Sequence, residues 1–348
     1  MKLLIWIVRT RPRRENAGPE EAMFSKRIFL PLVAAFAIGI VAGTPAEPQS
    51  YPVKPIRIII AAAPGGPTDF PARLASQILP PKLGQPIVIE NRGGAAGAIG
   101  ARAAKAAAPD GYTLFVGNTS TLAVIPAVSS SAGYDPVKDF TPIAKVLEGF
   151  QILVVHPSSP WKTLKEFVDY TKANPGKINY AHTGGGGLPH LAGELFMLRS
   201  GAKMTGISYR SGGESNAAVL SQAVHATLEN VAITAALIRD GRLRALAVAN
   251  KTRSPLLPGV PTMEEAGVPN AEANTFFGLV APAGTPDAII KRINAVMNEG
   301  MQAPEVQKLL AKVGTESKPG SPADFANYIA AQHRKWVEVG KAAGIKIK

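Results

Sequence analysis

The sequence predicts an α/β protein in two domains, and three observations carry that prediction. The 348 residues exceed what one core usually organises. From residue 55 onward, short unbroken apolar runs alternate with stretches of helical spacing, the pattern of parallel sheets covered by helices on both faces. Three strand-to-helix junctions carry glycine-rich loops, at the place where open α/β sheets bind ligands. Hydrophobic residues make up 46% of the chain and charged residues 18%, a balance that favours compact cores over disorder. Cysteine is absent, which excludes disulfides, thiolate metal sites and cysteine nucleophiles.

Taken in order, Ile56–Ala63 reads as a strand and Thr68–Leu79 as a helix with Phe70, Leu74 and Ile78 along one side. Pro71 falls in its first turn, where a missing N–H costs little. Pro86–Glu90 is a second strand, Gly97–Ala107 a helix and Tyr112–Gly117 a third strand. A second series begins at Gln151–His156, followed by a helix from Thr163 with Glu166 completing a capping box. Strands near Ile178–Ala181, Thr205–Ser208, His225–Glu229 and Leu243–Ala249 alternate with further helices, and Phe276–Ala281 is another strand. Thr285-Pro286 opens a helix, and Ser321-Pro322-Ala323-Asp324 opens the long terminal one.

The N-terminus reads as an address. Residues 1–46 hold seven Lys/Arg against three Glu. Within them Met23 and Lys26-Arg27 precede an apolar run from Ile28 to Val41. Its length suits a secretory signal and falls short of the roughly 20 residues that span a bilayer. Thr44-Pro45-Ala46 places small residues where a signal peptidase cuts, so cleavage is expected near Ala46; an uncleaved anchor is the alternative. Residues 1–22 precede a complete signal and are consistent with a mis-assigned start. Export predicts a periplasmic protein. Of the formal charge of +13, residues 1–46 carry +4 and the remaining +9 is scattered, and aromatic residues are only 6%, so neither a basic stripe nor a stacking platform for nucleic acid exists. That diffuse charge either favours anionic ligands or is ordinary solvated surface.

The three loops are Pro64-Gly65-Gly66-Pro67-Thr68-Asp69, then His182-Thr183 with Gly184 through Gly187 and Leu188-Pro189-His190, then Tyr209-Arg210-Ser211-Gly212-Gly213. Each exposes backbone N–H groups at a helix start, whose partial positive charge favours a carboxylate or phosphate. Their spread over two strand–helix series points to one anion site built by two domains. Enzyme signatures are missing: no stretch matches a P-loop, a nucleophile elbow or a metalloprotease helix, and Gly94–Gly100 has the wrong spacing for a dinucleotide fingerprint. None of the five histidines pairs with another at helical metal spacing, and His190 is expected to donate a hydrogen bond that shapes its loop. Asp69 also has a plain reading as a first-turn carboxylate favouring the dipole. Glu229-Asn230, closing a strand, faces either the cleft or a hinge.

These loops and several further motifs resemble the Bug-type (TctC-like) extracytoplasmic solute-binding receptors of tripartite tricarboxylate transporters. The resemblance is carried by Pro64-Gly65-Gly66 with Thr68-Asp69 and Ala72-Arg73, Val88-Ile89-Glu90-Asn91-Arg92, Pro109-Asp110-Gly111-Tyr112, and Tyr134-Asp135-Pro136. It continues through His190-Leu191-Ala192-Gly193-Glu194, Gly241-Arg242-Leu243, Val260-Pro261-Thr262 and Ala281-Pro282-Ala283-Gly284-Thr285-Pro286, in order from about residue 51 to the C-terminus.

The resemblance implies a two-lobed periplasmic-binding-protein fold, type II-like, closing on a small carboxylate, with no catalytic residue, metal or cofactor. Lobe 1 is expected at 51–149 plus 271–348 and lobe 2 at 150–270. By motif, the ligand-binding candidates are Gly65, Gly66, Thr68 and Asp69 in one lobe. Opposite them stand Thr183, Gly184, Gly186, His190, Tyr209, Ser211, Gly212, Glu229 and Asn230. Expected partners are a small organic anion and either membrane permease subunits or a sensor kinase. The less favoured class is an enzyme acting on a carboxylated or phosphorylated metabolite in the same cleft. Departures from the family pattern are Gly187 for a usual serine, Arg210 for lysine, Glu229 for aspartate, Leu122 for a frequent histidine, and the small Ala61-Ala62-Ala63 entering the first loop, which implies a roomier pocket.

Overall fold

The computed structural model describes residues 51–62, 68–315, 317 and 319–346. The expected signal segment with its cleavage near Ala46, and the candidates Gly65 and Gly66, lie outside the described residues.

The chain begins with β1 (Ile56–Ile60), α1 (Asp69–Ile78), α2 (Pro80–Leu83), β2 (Ile87–Asn91), α3 (Ala98–Lys105) and β3 (Thr113–Asn118). A π-helical turn, Ser120–Val124, runs into α4 (Ile125–Val128), and β4 (Phe140–Gly149) follows. Next come β5 (Gln151–Val155), α5 (Leu164–Ala173), β6 (Ile178–Thr183), α6 (Leu188–Ser200), β7 (Met204–Tyr209) and α7 (Gly212–Leu220). The rest is β8 (Ala226–Asn230), α8 (Val231–Arg239), β9 (Arg244–Val248), β10 (Thr275–Pro282), α9 (Asp287–Met301), α10 (Pro304–Lys312) and α11 (Pro322–Ala342).

The strands form two five-stranded sheets of one design, ordered β2-β1-β3-β10-β4 and β7-β6-β8-β5-β9. In each, β1 or β6 pairs parallel with both neighbours, whereas the fourth strand, β10 or β5, is antiparallel to the strands beside it. The expected mainly parallel sheets are present, with one exception in each: four strands run one way and one is reversed. The cause lies in how the chain crosses between sheets. Only Phe150 separates β4 from β5, so β5 begins at the edge where its neighbours end, Gln151 standing opposite Asn230. After the return crossing, β10 likewise starts with Thr275 opposite Gly149, the last residue of β4.

The two crossings are joined to each other. Gln151 Nε2 donates to Thr275 Oγ1 at 2.5 Å, and the Ala273 N–H reaches the Ala249 carbonyl at 2.8 Å. Thr119 ties in β3, its hydroxyl donating to the Asn274 carbonyl and accepting from the Phe276 N–H.

Alternation of side chains builds the cores. On β1, Ile56, Ile58 and Ile60 pack with Leu74 of α1 and Ile293 of α9 on one face, while Ile59 joins a larger cluster on the other. On β5, Ile152 and Val154 face Val219 of α7, and Leu153 and Val155 face that same larger cluster. This second cluster is continuous between the sheets because α11 packs against β4, α4, the π-turn and also α6. Its buried Phe325, Ile329 and Trp336 fill the space between them. α11 starts as expected, Ser321 and Asp324 forming a reciprocal capping box, as do Thr163 and Glu166 at α5.

Candidate functional site

The carboxyl ends of β3, β6, β7 and β8 all stop near the crossings, and the helices that follow start there. In α6 the loop before the helix holds Gly184 at φ 62° and Gly186 at φ 78°, conformations that a side chain would strain. Most of its N–H groups are used inside the protein. Gly184 donates to the Tyr209 carbonyl (3.1 Å), Gly186 to His190 Nδ1 (3.2 Å) and Leu188 to Ser120 Oγ (2.9 Å). Among the described residues the Gly185 N–H has no partner, and Gly185 is exposed.

His190 does shape its loop, but as acceptor rather than donor, which requires the neutral tautomer with its proton on Nε2. Burial lowers its pKa accordingly, and Nε2 stands 3.7 Å from Glu194 Oε1. His182 stacks on it with ring centroids 4.3 Å apart. Burial, and after it the charge of His190, brings His182 down to about 4.

Glu229 is buried at the end of β8, 3% exposed. It accepts a hydrogen bond from the Thr183 hydroxyl, and burial nevertheless pushes its pKa up to about 7. A Cβ on Gly212 would lie only 2.8 Å from Glu229 Oε2, so glycine is what lets α7 start against this carboxylate. The side chain thus occupies the start of α7 itself. Ser211 caps that helix by accepting from the Glu214 N–H, and Tyr209 contributes its carbonyl to the glycine loop. Asn230 caps α8 by accepting from the Ala232 N–H at 2.9 Å, and a Cβ on Gly149 would meet its amide at 2.8 Å. Of the two readings of Glu229-Asn230, the structure places Asn230 beside the first crossing.

On the other sheet, Thr68 precedes α1 with its hydroxyl accepting from Asn118 Nδ2 at 3.1 Å. Asp69, 5% exposed, takes Arg73 Nε on one oxygen at 2.6 Å, while its buried Oδ1 has no hydrogen-bond partner among the described residues. Sequence reasoning missed the corner after β3. Asn118 bonds Thr68 and also accepts from the Thr121 N–H at 3.1 Å, and Ser120 accepts from α6. These residues link the start of α1 to the start of α6, one from each sheet. The signal was present as the polar run Asn118-Thr119-Ser120-Thr121 directly after an apolar strand. Gly184 also lies close to Ala96 of the other sheet's loops, since a Cβ placed on it would come within 3.3 Å of that residue. Among the described residues no three of His, Asp and Glu come together as metal ligands would.

Two like sheets joined by a doubled crossing, with helix starts from both gathered along it, are the architecture of a solute-binding protein. The model for the tripartite tricarboxylate transporter family receptor matches residues 72–345, and the chain belongs to that family. BugT of Bordetella pertussis is 36% identical over 305 residues, which cover 87% of this chain and 94% of that protein. Among solved structures, an R. palustris protein with adipate matches at 31% identity and TM-score 0.79, covering 86% of this chain and all of that one. MatC from Rhodopseudomonas palustris with bound malate matches at 32% identity and TM-score 0.76, covering 83% and 99%. The family is one of periplasmic solute-binding receptors.

Proposed function

We propose that this chain captures a small organic carboxylate between its two lobes in the periplasm and hands it to the membrane permease subunits of a tripartite transporter, without chemical change. The observation that carries the reading is the bridge from Thr68 through Asn118 and Ser120 to Leu188, which sets helix starts from both sheets side by side. Helix starts favour a carboxylate through their N–H groups and dipole. The adipate and malate held by the two relatives are of that chemistry.

The lobes are 51–149 plus 271–348 and 150–270. The ligand contacts Gly65, Gly66, Thr68 and Asp69 from the first, and Thr183, Gly184, Gly186, His190, Tyr209, Ser211 and Gly212 from the second. Glu229 and Asn230 set the starts of α7 and α8 behind them. Closure is a population shift: the ligand bridges both lobes only when they are shut, so it stabilises that state. The signal segment directs export and is removed by cleavage near Ala46.

The test is thermal unfolding against a panel of mono-, di- and tricarboxylates, with the ligand recovered afterwards by mass spectrometry. At least one should stabilise the protein by about 2.7 kcal/mol at a hundredfold excess over Kd and be recovered unaltered. Flat melting curves across the panel, or a converted ligand, would overturn the reading.

A further inference from the structure

Behind Asn230, on the hinge side of the helix starts, lies a cavity of about 210 Å³. Its wall is drawn from both sheets. Phe70 comes from the first turn of α1, Phe150 from the crossing, Val231 and Ile233 from the start of α8, Phe277 from β10 and Val313 from the turn after α10.

Among the described residues this wall holds three polar side chains, and each is already engaged. The Asn230 carbonyl oxygen accepts from the Ala232 N–H, and the Thr315 hydroxyl donates to the Glu148 carbonyl. The Glu148 carboxylate takes Lys145 Nζ at 2.6 Å. Among the described residues no Lys, Arg or His is on the wall, and its one ionisable residue, Glu148, is already paired with Lys145. A second carboxylate entering here would lose its hydration and find no Lys, Arg or His on the described wall to pair with. An apolar body would lose nothing and bury its surface. A cavity of about 150 Å³ lined by aliphatic and aromatic side chains holds a benzene ring, so this one has room for a ring or a short alkyl chain.

We infer that the ligand of this receptor is a monocarboxylate with an apolar body, its head at the helix starts and its body in this hinge-side cavity. The inference rests on the receptor reading above and narrows it, since it separates this chain's ligand from the hydroxylated and polycarboxylated acids.

Isothermal titration of the full mature protein with benzoate, hexanoate, malate and citrate tests it. Benzoate or hexanoate should bind at least tenfold more tightly than malate or citrate, with a negative heat-capacity change. Ala232→Phe, which fills the cavity from its wall, should weaken the better of the two at least tenfold. If that variant does not fold, Ile233→Asn places an amide on the same wall and is judged by the same criterion. Tighter binding of malate or citrate overturns this inference and leaves the receptor reading standing. A preference for benzoate or hexanoate that survives the cavity variant also overturns it, since the body then sits elsewhere. Absence of binding by all four acids and by the wider carboxylate panel removes both.

Discussion

The two sheets share one strand order, yet the edges they present to the crossings differ. In the first, α1 starts at Thr68 with no side-chain cap, and among the described residues its first turn carries the ion pair between Asp69 and the largely exposed Arg73. In the second, α7 and α8 are capped by Ser211 and Asn230, Glu229 is buried against the Thr183 hydroxyl, and the neutral His182 of β6 stacks on the neutral His190 of α6. Strand order decides where helix starts gather; the residues at those starts decide what the edge can do. Among the described residues, the second edge is held by a denser internal network than the first.

Removing the charge from that network should have the largest effect. Glu229 titrates near 4.5 in an unfolded chain and at about 7 when folded, so folding retains its proton between those values. Its stabilising contribution is complete below about pH 4.5 and is lost as pH rises towards 7. Glu229→Gln should therefore match the native protein at pH 4 and exceed its stability by roughly 3 kcal/mol at pH 8. His182 slopes the other way, its contribution being present above its ordinary 6.5 and lost as pH falls to about 4. Denaturant unfolding of both proteins across this range cancels the histidine, and a pH-independent difference would refute the assignment to Glu229.

Next in size is helix packing. A Cβ on Gly193 of α6 would press into the Tyr180 ring, and one on Gly100 of α3 would lie 2.8 Å from the Arg92 carbonyl. Each Gly→Ala change should cost about 2 kcal/mol. Gly185→Ala, which meets nothing within 4 Å, should change stability by less than about 0.5 kcal/mol. Equal losses at all three positions would show that steric room is not what distinguishes them.

The smallest effect concerns the link between the halves. Ser120→Ala strands the Leu188 N–H that now donates to the Ser120 hydroxyl. A loss of about 1 kcal/mol in denaturant unfolding is expected; no loss would mean that water replaces the hydroxyl without penalty.

Local order was legible because local chemistry creates it. The capping boxes at Thr163 and Ser321, and nine of the ten strands, stand within a few residues of where apolar runs and cap residues put them. β4 escaped: its ten residues include Pro142, Lys145 and Glu148, and it follows a polar turn, so no unbroken apolar run marks it. The reversal of β5 and β10 escaped for another reason, since a strand buried on both faces reads the same in either direction.

At the site, glycine loops and cap residues marked which helix starts mattered, because positive φ and N–H capping depend on near neighbours in the chain. The partners could not be read that way. That Glu229 sits against Gly212 and that Ser120 meets Leu188 are matters of distance in space, between residues up to 68 apart in sequence. Composition and periodicity settle which segments become strands and helices, because those preferences act over a few residues. Direction of pairing, the apolar chamber behind Asn230 and the tie between halves arise only when the doubly crossing chain folds back on itself, because burial and long-range contact have no counterpart in local spacing.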